Sequence, residues 1–296
     1  MMDLLPVLLV NGVVFGAIYG INAIGLGIVY NTTGIINFAQ GDFVMLGGMS
    51  AAYFYGLGLP LLLAILFGVI ATVIIGLLIE RIVIRPLWRR GVKDWTYVFM
   101  LFAVATVLPN LAMLGISHDP LTFPSFGGLP SIQLGSVTLS SQAVWVLVVT
   151  VIVVVALQGF FNRTLLGKAM KATAINRRVA AWMGVPVERM VAMSFGLAAL
   201  LGAIGGVVFT PLISTQFDTG VAMTLNGFAA AIIGGMGNIR GAIIGGLVIG
   251  ILQSLSTAFI SSVYGDAVTY GVLFVLLMIW PAGFFRPLIE LQHEEI

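Results

Sequence analysis

Residues 162–189 have the sequence NRTLLGKAMKATAINRRVAAWMGVPVER, which carries six of the thirteen Lys and Arg residues of this chain. A second stretch, RIVIRPLWRRGVK at residues 81–93, carries five more. The sequence around both stretches is almost entirely apolar. Short loops rich in Lys and Arg between hydrophobic spans stay on the cytoplasmic side of a membrane, because these residues resist translocation. The pattern therefore predicts a membrane protein whose two basic stretches lie inside the cell.

The composition agrees with a membrane protein and argues against several other classes. The 296 residues are 60% hydrophobic and 8% charged, whereas soluble domains have about 25% charged residues. Because the net charge of +2 is concentrated in two loops and forms no basic face, nucleic-acid binding is not expected. The chain has no cysteine, and its two histidines, His118 and His293, lie outside the predicted spans. No cofactor or metal site is predicted.

The fold is predicted to be all-α: a polytopic membrane helix bundle of about eight or nine transmembrane helices with re-entrant or broken segments. Each span needs about 20 predominantly apolar residues. The predicted spans are 7–30, 43–57, 60–79, 97–116, 143–161, 190–213, 221–233, 242–263 and 268–285. With the N-terminus outside, nine crossings place both basic stretches inside and residues 117–140, which lack Lys and Arg, outside. If residues 221–241 are instead re-entrant, the number of crossings falls and one terminus of the chain must lie on the other side of the membrane.

The N-terminal residues Met1–Pro6 lack a basic region and a small-residue cleavage site, so the first span is predicted to be retained. Glycine recurs at four-residue intervals along several spans, which lets helix backbones approach closely within lipid. These positions predict tight helix packing rather than a substrate site. The repeats are Gly12, Gly16 and Gly20; Gly237, Gly241 and Gly245; and the pair Gly202 and Gly206.

Polar groups inside the spans are the candidate functional residues. Asn22 lies on the first span, where a buried amide serves either as an interhelical hydrogen-bonding group or as part of a transport pathway. The segment from Asn31 to Asp42 is polar, contains two glycines and is flanked by apolar sequence. Irregular backbone at membrane depth is tolerated only against protein or a watery cavity. The segment therefore predicts a pathway or hinge, with a simple loop at the inner surface as the alternative.

The chain has no nucleotide-binding loop of its own. The only Gly-Lys pair is Gly167-Lys168, where Asn162 stands in place of the first glycine of a P-loop and Ala169 in place of its Ser or Thr. No series of buried acids or histidines predicts a proton relay, and no catalytic constellation is visible. We therefore expect a pathway component, not an enzyme, that takes its energy from another protein.

Three motifs resemble the LivH-type permeases of branched-chain amino acid ABC importers. Residues 25–42 are similar to the family's signature, a Tyr followed after a short gap by Gly-x-x-Asn-Phe-Ala-His-Gly-Glu. Here Gln40 replaces the usual His, which removes a titratable imidazole, and Asp42 replaces the usual Glu and keeps the charge. Residues 167–185 resemble the family's cytoplasmic loop, and residues 228–246 its Gly-rich late segment.

The resemblance implies a single permease domain over residues 1–296 with a cytoplasmic coupling loop at residues 162–189. A short cationic helix in this loop would dock on the ATPase, with Gly184 and Pro186 ending it; binding to anionic headgroups is the alternative. The coupling residues expected from the resemblance are Gly167, Lys171, Asn176, Arg177, Arg178 and Gly184. The hypothetical polar contributors to the substrate pathway are Asn37, Gln40 and Asp42, together with Asn22.

The implied assembly has two ABC ATPase subunits, a second permease that is identical or paralogous, and an external solute-binding protein, in a bacterial or archaeal cytoplasmic membrane. The implied mechanism is alternating access driven by the ATPases, with weak substrate binding in the permease. Three other functions stay open at this stage. Urea or short-chain amide permeases share the motifs; an ion-coupled secondary transporter could use Asp42; and a passive channel would need a continuous polar pore.

Overall fold

The structure is a computed structural model that describes residues 4–128, 131–134, 137–260 and 265–279. These residues form twelve α-helices, a π-helical turn (Glu80–Ile84) and a β-hairpin. The helices are α1 Leu4–Thr33, α2 Gln40–Gly56, α3 Leu61–Ile79, α4 Arg85–Arg89, α5 Asp94–Gly115, α6 Ser141–Arg163, α7 Leu165–Ile175, α8 Arg177–Trp182, α9 Val187–Phe209, α10 Thr219–Gly234, α11 Ile239–Phe259 and α12 Gly265–Ile279. In the hairpin, β1 (Ile132–Leu134) pairs antiparallel with β2 (Val137–Leu139).

Six helical segments are long and apolar enough to cross a membrane, and α10 is a shorter apolar helix of 16 residues. Large apolar side chains remain exposed on these segments, among them Leu62 (79%) on α3 and Leu114 (80%) on α5. So much exposed apolar surface is compatible with lipid but not with water. The prediction of a polytopic helical membrane protein is confirmed, without the predicted number of helices. The six segments are Leu5–Thr33, Leu61–Arg89, Trp95–Gly115, Ser141–Arg163, Val187–Phe209 and Ile239–Phe259.

The glycine repeat of α1 fits against α11, and the two helices run antiparallel. Gly12 lies beside Gly250 and Ile251, and Gly16 lies beside Gly246. A Cβ on Gly16 would stand 2.7 Å from the carbonyl oxygen of Gly246, so the backbones touch with no room for a side chain. The packing role predicted for these glycines is confirmed.

The second glycine contact joins α9 to α2. A Cβ on Gly202 would collide with Phe43, and a Cβ on Gly206 would collide with the backbone of Val44 and Gly48. This fit fixes the position of α2 between α9 and α10, on which it also packs. The start of α2 is consequently held deep inside the bundle.

The two basic stretches lie together at one end of the bundle, which we call the basic end. Arg89 of α4 forms a bidentate ion pair with Glu188 of α9, with an N–O distance of 2.9 Å. Arg177 of α8 stacks over the ring of Trp88 at 5.0 Å. The bundle's opposite end carries the contact between Leu121 and Thr215, which exchange two backbone hydrogen bonds.

The local structure of both basic stretches differs from the prediction. Residues 81–89 continue the α3 helix through the π-helical turn and are not a loop. The predicted coupling loop forms two short helices where one was expected, because Asn176 leaves the helical conformation and caps α8. The Asn176 side chain accepts from the Val179 N–H at 3.1 Å. The stop at Gly184 is confirmed, since this residue has a φ of +83° just after α8.

Candidate functional site

The chain breaks its helical structure at residues 34–39, between the end of α1 and the buried start of α2. α1 ends at Thr33, and α2 begins at Gln40 with its side chain against Gly25, eight residues back along α1. At 1.5 Å per residue, α2 therefore starts about 12 Å in from the end of α1. Gly34, with a φ of +65°, allows the chain to reverse there. The polar segment therefore starts at the exposed Gly34 and runs inward to the buried Asn37 and Gln40, and we call it the internal break.

All four predicted pathway residues are buried around this break. Asn37 and Gln40 are 0% exposed, and Asn22 and Asp42 are 1% exposed. We refer to these four residues, together with Thr224 of α10, as the polar junction. It lies where the start of α2 meets α1, α9 and the start of α10.

Thr224 joins the start of α2 to α10. Its hydroxyl accepts from the Gly41 N–H at 3.1 Å, and it lies 3.1 Å from the carbonyl oxygen of Phe38 and 2.9 Å from that of Gly220. A free N–H at the first turn of a buried helix needs such a partner. Sequence reasoning missed Thr224, although a threonine and Asn226 within an apolar span were a visible signal.

The amides of the junction hold neighbouring helices. Asn22 donates through Nδ2 to the carbonyl oxygen of Met223 at 2.6 Å, which supports its interhelical role. Gln40 donates through Nε2 to the carbonyl oxygen of Ala198 on α9 at 3.1 Å. Asn37 accepts through Oδ1 from the Ala39 N–H at 3.2 Å, a local turn that shapes the break.

Each of the four predicted pathway residues also has a buried side-chain atom without a hydrogen-bond partner. These atoms are Oδ1 of Asn22, Nδ2 of Asn37, Oε1 of Gln40 and Oδ2 of Asp42. Buried polar groups are normally paired, and each unpaired one is unfavourable by about 1–3 kcal/mol. Such unpaired atoms could still hydrogen-bond water or a polar solute.

Asp42 faces the first turns of two helices. It is the third residue of α2, and its carboxylate packs against Gly220, the second residue of α10. Helix N-termini carry partial positive charge and favour a nearby anion. Within the described residues, no three His, Asp or Glu side chains group closely enough to hold a metal ion.

The predicted coupling residues do not all have the same environment. Gly167 is buried, and a Cβ there would collide with the backbone of Phe160 at the end of α6. Lys171 is exposed and donates to Oδ1 of Asn162 at 2.7 Å. Arg178 is exposed. A guanidinium nitrogen of Arg177 would stand 3.3 Å from a Cβ on Gly34, so α8 contacts the start of the internal break.

The apolar side chains of α7 and α8 were not singled out from the sequence. Leu165 is 85% exposed, Trp182 82% and Met183 80%. They extend from short helices at the basic end, next to charged residues. Such a mixture of exposed aromatic, apolar and basic side chains is typical of a surface that a partner covers.

Curated relatives match this chain over nearly its whole length. Permease protein LivH of the high-affinity branched-chain amino acid transport system from Salmonella typhimurium is 31% identical over 298 residues, 95% of each chain. LivH from Escherichia coli is 31% identical over 300 residues, again 95% of each chain. Permease protein BraD from Pseudomonas aeruginosa is 30% identical, covering 95% of this chain and 96% of its own.

The family model described as "Branched-chain amino acid transport system / permease component" matches residues 8–279. Relatives occur in bacteria and in the archaeon Methanocaldococcus jannaschii, and the apolar helices agree with a multi-pass protein of the cytoplasmic membrane. The resemblance drawn from the three motifs is confirmed. The chain belongs to the family of permease components of branched-chain amino acid transport systems.

Proposed function

We propose that this chain is the membrane-spanning subunit of an ABC importer that carries branched-chain or related hydrophobic amino acids into the cell. The observation that carries the proposal is the family match over residues 8–279, with relatives that are named as transporters of these amino acids. The chain itself performs no ATP hydrolysis in this proposal. Energy comes from two ATPase subunits, and specificity comes from an external solute-binding protein that delivers substrate to a pair of permeases.

The bundle is oriented with its basic end in the cytoplasm, in agreement with the positive-inside rule. Nine crossings satisfy this orientation: the six long segments together with α2, α10 and α12. α2 and α10 have 17 and 16 residues, which is less than the roughly 20 residues of a full span. α2 and α10 start inside the bundle at the polar junction, so each reaches one surface from an internal position.

The coupling surface is formed by α7 and α8, within a single permease domain whose residues 162–189 face the ATPase. The exposed Leu165, Trp182 and Met183 would provide the apolar contact, and Lys171 and Arg178 the charges at its edge. Arg177 links this surface to the internal break, because it contacts both Trp88 and the start of the break at Gly34. A movement of α8 on ATPase closure would therefore reach the break directly.

The substrate pathway passes the polar junction. The unpaired atoms of Asn22, Asn37, Gln40 and Asp42 offer acceptors for an ammonium group and a donor for a carboxylate. The surrounding apolar helices suit a Leu, Ile or Val side chain. Because binding energy in an importer resides mainly in the solute-binding protein, contacts at the junction need only be weak.

The proposal is tested by gentle affinity purification of the chain from its native membranes, followed by identification of its companions. Stoichiometric ATPases and a solute-binding protein are expected. Replacing Lys171, Asn176 and Arg177 by Ala should release the ATPases while the chain stays folded. A chain that purifies alone, or only with itself, would contradict the importer and favour a secondary transporter or a channel.

The pathway is tested by measuring the uptake of radiolabelled leucine into proteoliposomes that contain the whole transporter. Urea is added as a competing solute that represents the alternative substrate class. Asn37→Ala and Asp42→Ala should each lower uptake in a transporter that still assembles. Asn110→Ala is the matched control, because Asn110 is exposed on α5 and donates only to Thr106 within the same helix. Normal uptake in both junction variants would remove the polar junction from the pathway.

A further inference from the structure

A cavity of about 540 Å³ opens at the basic end, and its lining includes no residue of the polar junction. Its floor is the last third of α1, and its sides are α6 with α7 on one side and the start of α11 on the other. The principal helix contacts join α1 to α6, α7 and α11, but they do not join α11 to α6 or α7. The cavity is therefore a crevice along α1 between two groups of helices.

The rim of the crevice is cationic. Lys171 of α7 and Arg240 of α11 both line it, and no Asp or Glu does. Among the described residues, the ion pairs involve Arg85 and Arg89, and neither Lys171 nor Arg240 has an acidic partner. Lys171 is held toward the rim by its hydrogen bond to Asn162. Two uncompensated positive charges at one opening favour an anion.

The floor of the crevice is apolar. Ala23, Ile24 and Ile28 of α1 line it, with Met170 and Ile239 from the sides. From Ala23 to Ile28 the apolar lining extends over five residues of α1, or about 7.5 Å along its axis, and Asn31 and Thr32 follow as polar groups near the end of α1. A small soluble anion would occupy the rim and leave this apolar length empty. An anion that carries a hydrocarbon chain would fill both parts.

We propose that the crevice binds one anionic phospholipid of the inner leaflet, with its phosphate between Lys171 and Arg240 and an acyl chain along α1. The proposal goes beyond the transport function and rests only on the orientation that places the basic end in the cytoplasm. The lipid would contact α7, which belongs to the coupling surface, and α11, which packs on α1. It would thereby connect lipid composition to the part of the molecule that faces the ATPase.

The test uses the full chain purified with the subunits that accompany it, titrated with phosphatidylglycerol, phosphatidylcholine or inorganic phosphate. Native mass spectrometry counts bound lipid. We expect one saturable phosphatidylglycerol, weaker phosphatidylcholine, and no competition by inorganic phosphate. Because a basic residue strengthens binding to anionic lipid by about fivefold, the double variant Lys171→Gln with Arg240→Gln should bind phosphatidylglycerol about 30-fold more weakly.

The charge-matched control is Arg163→Gln with Lys168→Gln, which removes two cations of the same segment that do not line the crevice. It should keep wild-type binding. A second pair tests the apolar part without altering charge: Ala174→Phe fills the crevice and should exclude the lipid, whereas Ala172→Phe, on the same helix but outside the lining, should not. This pair keeps the test decisive if the double Gln variant fails to fold.

Three results would overturn the proposal. Equal binding of phosphatidylglycerol and phosphatidylcholine would remove the role of the cations. Displacement by inorganic phosphate at equal concentration would assign the rim to a soluble anion. Absence of lipid from the assembled transporter, with binding only to the isolated chain, would mean that another subunit covers the crevice. None of these results depends on uptake, so failure of this proposal is distinguishable from failure of the transport function.

Discussion

The polar junction and the basic end are both rich in polar residues, but they differ in what surrounds them. At the junction, Asn37 and Gln40 are completely buried and glycines bring backbones into contact on every side. At the basic end, Trp182 and Met183 are more than three-quarters exposed and contact little of the chain itself. The junction is therefore enclosed by this chain, whereas the basic end exposes apolar groups on its surface. Substitutions should affect folding at the first region and association at the second.

The largest effect is expected where glycine allows α9 to touch α2. Gly206→Ala would drive a Cβ into the backbone of Val44, which cannot yield without moving α2, and should lower the free energy of unfolding by about 3 kcal/mol. The measurement is thermal unfolding of the purified protein in detergent. Gly205→Ala is the control, because its Cβ would meet its nearest neighbour, a Val44 methyl group, at an ordinary 3.9 Å. Equal destabilisation by both variants would show that the close contact of Gly206 with Val44 is not the cause.

Some of this organisation could be predicted from the sequence, because its cause is local. The break at residues 34–39 follows from polar residues and glycine between apolar spans, and the basic end follows from clustered charge. The partner of the break could not be predicted in the same way. Thr224 lies 183 residues from Gly41 in sequence, and only the packing of α2 against α10 brings them together. The two-helix form of the predicted coupling loop was missed, although Asn176 directly before an Ala-containing segment is a capping signal.

The next effect concerns the hydrogen bond that closes the junction. Thr224→Val would leave the buried Gly41 N–H without its acceptor and should destabilise the protein by about 2 kcal/mol. Thr150→Val is a matched control, since the Thr150 hydroxyl is also buried but donates only to the Val146 carbonyl within its own helix. Chemical denaturation of both variants gives the comparison. If Thr150→Val is as harmful as Thr224→Val, the hydroxyl at the junction has no special structural part.

At the basic end, Trp182→Ala should change association and not folding. The side chain is 82% exposed, so its removal should alter stability by less than about 0.5 kcal/mol. Exposed aromatic residues are often central to an interface, and we expect ATPase binding to weaken by at least about tenfold. Pull-down of the ATPase over a dilution series measures this affinity. Leu114 is 80% exposed near the C-terminal end of α5, far from the basic stretches, and Leu114→Ala should leave ATPase binding unchanged. Wild-type ATPase affinity in Trp182→Ala would place the docking surface elsewhere.

The smallest effect is expected at the exposed ion pair of the basic end. Glu188→Gln removes the partner of Arg89, but both side chains are more than half exposed, so water and salt replace the interaction and stability should not change measurably. Glu80→Gln makes the contrast: Glu80 is 2% exposed and holds Arg85 through two hydrogen bonds, so its loss leaves a guanidinium near the membrane boundary with fewer partners. Thermal unfolding at low and high salt should therefore separate the two variants, with only Glu80→Gln destabilised. Equal behaviour of the two would mean that burial does not decide the strength of an ion pair in this protein, and the contrast between a buried and an exposed polar region would lose its physical basis.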